Sequence, residues 1–230
     1  MDTLLGQYLS ELKSKVAQMA GLVEETILLS TKALAKKETE SLDRVFEIEE
    51  KINEFHKTID RNCFKLLARQ SPVASDLRLI IVSTKMSVDL ERMGDLACSI
   101  SYCVKDYFEE SPLIIASEIP KMADLVRSMV RLGLDAFIQN DESMAYEVLK
   151  MDDAVDDYRD ELSQKIREDL QSGNANINGN LELYTIVRNL ERLGDHATNI
   201  AEEVIFLISG EDIRHQKPNK INKVDGGQYV

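Results

Sequence analysis

A chain of 230 residues with 28 Lys and Arg against 41 Asp and Glu carries a formal charge of −13. That balance repels phosphate backbones and anionic lipid headgroups, which excludes nucleic acid as a partner and leaves metal cations or a basic protein surface. The length admits one large domain or two of ordinary size.

Only four prolines and ten glycines punctuate the chain, and between them apolar residues recur at helical spacing, so an all-α protein is expected. A first helix over 2–36 carries Leu5, Leu9, Leu12, Val16, Met19, Val23 and Ile27 at steps of three and four. A second over 38–69 repeats the pattern with Val45, Ile48, Ile52, Phe55 and Ile59. Pro72 cannot continue it, and Ser75 is the expected N-cap of a third helix over 76–109, which Ser111-Pro112 then stops.

Three more helices follow over 119–139, 142–171 and 181–209, separated by an Asn140-Asp141 turn and a Gly/Asn-rich loop over 172–180. The segment 212–230 is polar and glycine-containing and is expected to fray. The opening residues lack the basic and apolar runs of a secretory signal, and no stretch reaches the ~18 apolar residues of a membrane span, so a cytoplasmic location is expected. Cys63, Cys98 and Cys103 are odd in number and have no CxxC spacing, which reads as reduced packing residues rather than disulfides or a thiolate zinc site.

The halves are copies. Leu90-Glu-Arg-Met-Gly-Asp-Leu-Ala-Cys-Ser-Ile100 recurs one hundred residues later as Leu190-Glu-Arg-Leu-Gly-Asp-His-Ala-Thr-Asn-Ile200. Val45-Phe-Glu-Ile-Glu-Glu-Lys-Ile52 matches Val148-Leu-Lys-Met-Asp-Asp-Ala-Val155 at an offset of 103. Helices longer than thirty residues pack only as elongated bundles, so the expected architecture is two tandem antiparallel three-helix bundles, over 1–112 and 113–211, with 212–230 as a tail.

Glu91 and Asp95, like Glu191 and Asp195, are four apart and share a helix face, ~5–6 Å between Cβ atoms. In the second copy the ladder is expected to continue through Asn199 and Glu203. The middle helices add Glu49 and Asn53, and Asp152 and Asp156, beside the apolar stripe. If middle and last helices face each other there, four oxygen side chains converge in each bundle. Carboxylates so placed hold hard or borderline cations, among which iron, zinc, manganese, calcium and magnesium remain open.

The bland reading is a solvated charged face, weakened by duplication and by Gly94 and Gly194. Each glycine costs roughly 1 kcal/mol in a helix interior and points to a close crossing or to space for ions. Arg92 and Arg192 read as partners of nearby acids, and His196 and His56 as exposed or isolated rather than ligating. No Glu-x-x-His pair, phosphate loop or nucleophile elbow occurs on these helices, so no enzymatic activity is expected.

Through Gln70-Ser-Pro-Val-Ala-Ser-Asp-Leu-Arg78, Asp89-Leu-Glu-Arg-Met-Gly-Asp-Leu-Ala97, Asn189-Leu-Glu-Arg-Leu-Gly-Asp-His-Ala-Thr-Asn-Ile-Ala-Glu202 and Gly210-Glu-Asp-Ile-Arg-His215, the chain resembles the PhoU family of bacterial phosphate-transport accessory proteins. The resemblance implies two tandem three-helix bundles, acidic motifs able to hold multinuclear metal clusters, and a homodimer. It further implies a negative regulator of phosphate uptake and of the phosphate-starvation response, in contact with the phosphate transporter ATPase and the sensor histidine kinase, and peripheral to the membrane only through such partners.

The metal motif then falls on Glu91, Asp95, Glu191, Asp195, Asp152 and Asp156. Glu49 and Asn199 come from the reading of the ladders. Asn53 departs from the family's acid, so the second repeat is expected to bind metal more tightly. Two other readings compete: a metal-binding or metal-storage bundle without a phosphate role, and a coiled-coil spacer.

Overall fold

The computed structural model describes residues 4–36, 38–110, 118–172 and 176–214. Among them are six helices and no strand: α1 (Leu4–Lys36), α2 (Leu42–Gln70), α3 (Ala74–Glu110), α4 (Glu118–Gln139), α5 (Glu142–Gln171) and α6 (Ile177–Ser209). The expectations for residues 2 and 3, for 111–117 and for 215–230 lie outside the described residues.

Helix α2 starts at Leu42 rather than near Glu38, and ends at Ser71, whose φ of 45° takes the left-handed conformation that closes many helices. Helix α3 starts at Ala74, so Ser75 lies within its first turn and does not cap it. Asp141 caps α5 as its place in the turn suggests, accepting from the backbone N–H of Ser143 and Met144. The expected loop over 172–180 is shorter than its composition implied, because α6 begins at Ile177. Asn176 caps it by accepting from Gly179 N, and Asn180 donates to Asp169 Oδ2 at 2.7 Å, so polar residues that read as loop are the helix's own anchors.

Each consecutive triplet packs as a bundle of helices up to ~55 Å long. The bundles meet side by side: α3 lies along α6 and α1 along α4, while α2 and α5 flank the outside. Paired residues define the directions. Arg78 Nε donates to Leu207 O at 3.2 Å, His196 lies against Asp89, and Asn189 Nδ2 donates to Ser99 Oγ at 2.9 Å, so α3 and α6 run antiparallel. Lys13 Nζ bridges Ile138 O and Asn140 Oδ1 and ties α1 to the α4–α5 turn in the same antiparallel sense.

Apolar faces at helical spacing from both halves, including Val16, Val23, Leu90, Ile100, Met129 and Leu190, form one continuous core. Among the described residues no helix is long and apolar enough to cross a membrane. The expected tail is packed at its start: Ile213 is buried, and Arg214 reaches back to Glu203 on α6.

Candidate functional site

The acidic motifs sit where the middle and last helices of each bundle cross. In the second repeat Gly194 on α6 presses on α5: a Cβ placed there would lie 3.3 Å from Val155 Cγ1 and 3.7 Å from Asp152 Oδ1. In the first, a Cβ at Gly94 would lie 3.2 Å from Ile52 Cδ1. Both glycines are thus accounted for by close helix crossing. That approach brings the carboxylates of the two helices into one group.

In the second repeat Asp152, Asp156, Glu191 and Asp195 converge. Burial first, and then the charges of Asp195, Asp156, Asp153 and Glu191, push the Asp152 carboxyl up to about 6. Asp195, at the solvent edge of the group, is raised too, by desolvation and by Glu191 and Asp156, with His196 and Arg188 opposing. Carboxylates that raise one another in this way favour either protons or a cation among them.

Glu191 is only 9% exposed. Its Oε1 accepts from Arg159 Nη1 at 3.1 Å and from Arg188 Nη1 at 3.3 Å, while Oε2 is buried without a hydrogen-bond partner. Arg159 also pairs with Asp156 at 3.0 Å and Asp160 at 2.9 Å. Both arginines were missed in the sequence, although each carries a local signal: Arg159 follows Asp156 by three, and Arg188 precedes Glu191 by three, spacings at which helix side chains meet.

The first repeat is built differently. Asn53 on α2 donates to Glu49 Oε1, and Glu91 pairs with Arg92 at 3.6 Å, the structural role expected for that arginine. Cys98, half-buried, has its thiol pushed up to about 12 by burial and then by the charges of Glu49 and Asp95. The position corresponding to Arg159 is His56, whose Nδ1 lies 3.1 Å from Ser87 O and whose Nε2 lies 3.6 Å from Asp60, so this side chain is engaged rather than isolated. The position corresponding to Arg188 is Val88, and no guanidinium is fixed over the acids of α3 from these two places.

The ladder beyond Asp195 does not stay with the group. A step of four residues advances ~40° round a helix, so two and three steps carry Asn199 and Glu203 onto the face that meets α3. Asn199 Nδ2 donates to Asp89 Oδ1 at 3.3 Å, and the buried Glu203 carboxylate receives Lys85 at 2.8 and 3.0 Å and Arg214 at 3.2 Å. Asn199 is therefore apart from the residues with which it was grouped. His196 is not exposed as expected: its Nδ1 donates to Asp89 Oδ1 at 2.8 Å and joins the two repeats. Arg192 is exposed.

Among the described residues no three His, Cys, Asp or Glu side chains stand in a ligating arrangement. In the second repeat the compensating positive charge is Arg159, held against Glu191 and Asp156. Glu191 Oε2 is nevertheless buried without a hydrogen-bond partner, and the charges of Asp156, Asp195 and Glu191 act on Asp152 at the same crossing.

The PhoU domain matches residues 16–104 and 119–204, once per repeat. This chain belongs to the PhoU family. It is 39% identical to the phosphate-specific transport system accessory protein PhoU homolog of Pseudomonas putida over 210 residues, 90% of this chain and 81% of that one. The crystal structure of PhoU from Pseudomonas aeruginosa superposes with a TM-score of 0.82 at 36% identity, covering 90% of this chain and 99% of that one. That of the phosphate transport system regulatory protein PhoU from Streptococcus pneumoniae gives 0.84 at 30% identity, covering 90% and 98%. The PhoU domain is present in both halves, and the acidic crossings fall within its two matches.

Proposed function

We propose that this chain is an accessory protein of a phosphate transport system, a negative regulator of phosphate uptake and of the phosphate-starvation response. It works as a cytoplasmic adaptor between the transporter ATPase and a sensor histidine kinase, performs no chemistry of its own, and acts as a homodimer. The observation that carries this reading is the PhoU domain matched in both halves, with relatives named for phosphate transport.

The test is a strain lacking the protein. Phosphate uptake and a phosphate-starvation reporter are measured in phosphate-rich medium, and the ATPase and kinase are assayed for co-purification with the tagged chain. Derepression together with capture of both partners is expected. Normal repression without the protein would overturn the regulatory reading.

The second-repeat carboxylates are proposed to take a divalent or trivalent cation, with Asp152, Asp156, Glu191 and Asp195 as its oxygen donors and Arg159 released from Glu191. The bound ion supplies positive charge that relieves the repulsion among these groups, and it modulates partner docking. Glu49, Glu91 and Asp95 offer a weaker site, because Asn53 replaces an acid there. The buried, unpartnered Glu191 Oε2 supports this part of the reading. Elemental analysis of protein purified without chelator should show metal that Glu191→Ala/Asp195→Ala loses. Metal at equal levels in both proteins would sink the site.

A further inference from the structure

The chain is strongly acidic, yet residues 61–75 contain three basic residues and no acid. Arg61, Lys65 and Arg69 recur every four residues along the exposed C-terminal half of α2 and so form one basic row. By helical steps of ~100°, Phe64 lies beside Arg61 on one side of that row and Leu67 a further ~60° round the helix beyond Phe64. Phe64 is 68% exposed, Leu67 is 40% exposed, and Val73 just beyond the helix is 71% exposed, an unusual apolar investment at a solvent face. Along the α1 side runs a cleft of about 270 Å³, with Tyr8 and Glu11 on one wall and Asn62, Lys65, Arg69 and Gln70 on the other. Glu11 is the one acid of that lining and Leu66 its one aliphatic side chain, and the other side chains can each donate a hydrogen bond to an anionic group.

The second repeat provides an internal control. At the offset of 103 that aligns the middle helices, Arg61, Phe64, Lys65 and Arg69 become Gln164, Arg167, Glu168 and Ser172, while Leu67 keeps an exposed leucine, Leu170, as its counterpart. Those residues satisfy one another: Gln164 Nε2 donates to Glu168 Oε1 at 2.7 Å, and Arg167 donates to Gln164 at 3.4 Å. The same stretch of a duplicated helix thus carries a basic row beside an exposed aromatic in one copy and neither in the other. Neither the core nor the acidic crossings require the difference.

We propose that this end of the first repeat, Arg61, Phe64, Lys65, Leu67 and Arg69 with the adjoining cleft, is a docking surface for an acidic, amphipathic segment of a partner protein. The basic row sets the charge of the segment, and the apolar edge sets the apolar positions that it must present at helical spacing. A cleft flanked by polar donors suits individual acidic side chains better than it suits a flat lipid surface. The inference stands on the α2 surface alone and does not depend on the adaptor reading.

The test places a benzophenone photo-cross-linking side chain at position 64 of the full chain, expressed at native level in its own cells. The same side chain at position 167 serves as the second-repeat control. Cross-linked peptides are then identified by mass spectrometry. The expected adduct is to a protein segment with net negative charge and spaced apolar residues, absent at position 167 and reduced at least tenfold by Lys65→Glu/Arg69→Glu. Both of these positions are exposed, and circular dichroism confirms that the variant folds. Adducts to lipid, to a second copy of the chain or to a neutral or basic segment would overturn the proposal, as would no adduct. An acidic segment in a protein outside the phosphate system would keep the docking surface and count against the adaptor reading.

Discussion

Arg159 on α5 reaches across the second bundle to Glu191 on α6, Nη1 to Oε1 at 3.1 Å, and leaves the other carboxylate oxygen buried without a partner. Arg159 also holds Asp156, so one guanidinium neutralises two of the four acids at this crossing. It occupies the electrostatic role that a bound cation would take.

Removing that guanidinium should therefore expose a competition. Arg159→Ala leaves Glu191 buried with only Arg188 opposite, and unfolding stability at pH 7 should fall by about 2 kcal/mol. Magnesium or manganese should then restore more stability to the variant than it adds to the wild type. Thermal melts across a metal titration measure both effects. An equal metal response in the two proteins would mean that Arg159 and the cation do not share the site.

The Asp152 carboxyl gives a pH signature of opposite sign to that of an ordinary paired acid. Its value in the fold, about 6, lies above the ordinary 3.8, so between those values the folded state binds more protons than the unfolded chain. Its contribution to stability is present at low pH and lost as pH rises through about 4 to 6. Asp152→Asn should remove this decline and be more stable than wild type by about 1 kcal/mol at pH 7, after allowance for solvent screening. Urea unfolding at pH 4, 5, 6 and 7 compares the profiles, and parallel profiles would contradict the assignment.

The glycines separate helix propensity from crossing distance. A Cβ at Gly21 meets nothing within 4 Å, so Gly21→Ala should stabilise α1 by about 1 kcal/mol. At Gly94 the new methyl would press on Ile52 at 3.2 and 3.3 Å, and at Gly194 on Val155 at 3.3 Å, both neighbours fully packed. Overpacking there should cancel or exceed the propensity gain, giving a net loss of about 1 kcal/mol. Denaturant midpoints of the three variants give the order directly. A stabilising Gly194→Ala would show that the crossing has slack.

Glu203 is 5% exposed and draws together Lys85 of α3 and Arg214 beyond α6. Both cations keep access to water, so the loss on Glu203→Ala should be about 2 kcal/mol, below the cost of breaking a fully buried pair. Glu54, an exposed acid paired locally with Lys57, should cost little stability when changed in the same way. Limited proteolysis should also cut near Arg214 faster in Glu203→Ala. Unchanged cleavage would mean that Ile213 anchors the segment by itself.

The sequence by itself determined whatever depends on local spacing. Six helices follow from apolar residues at steps of three and four, and the duplication from matched strings. Glu191 and Asp195 share a face because four residues make slightly more than one turn. Its errors were also local: Ser75 resembles a cap but lies inside α3, and the Asn and Gly residues at 176–180 resemble a loop but open α6. What the tertiary structure decided was which partner each charged side chain meets. His196 turns to Asp89 and Asn199 follows it, Glu203 is claimed by Lys85 and Arg214, and Arg159 rather than its counterpart His56 spans the acidic crossing. These outcomes depend on how α6 rotates against both α3 and α5. That rotation is fixed by packing the whole apolar face, including Gly194 against Val155, and no single helix encodes it.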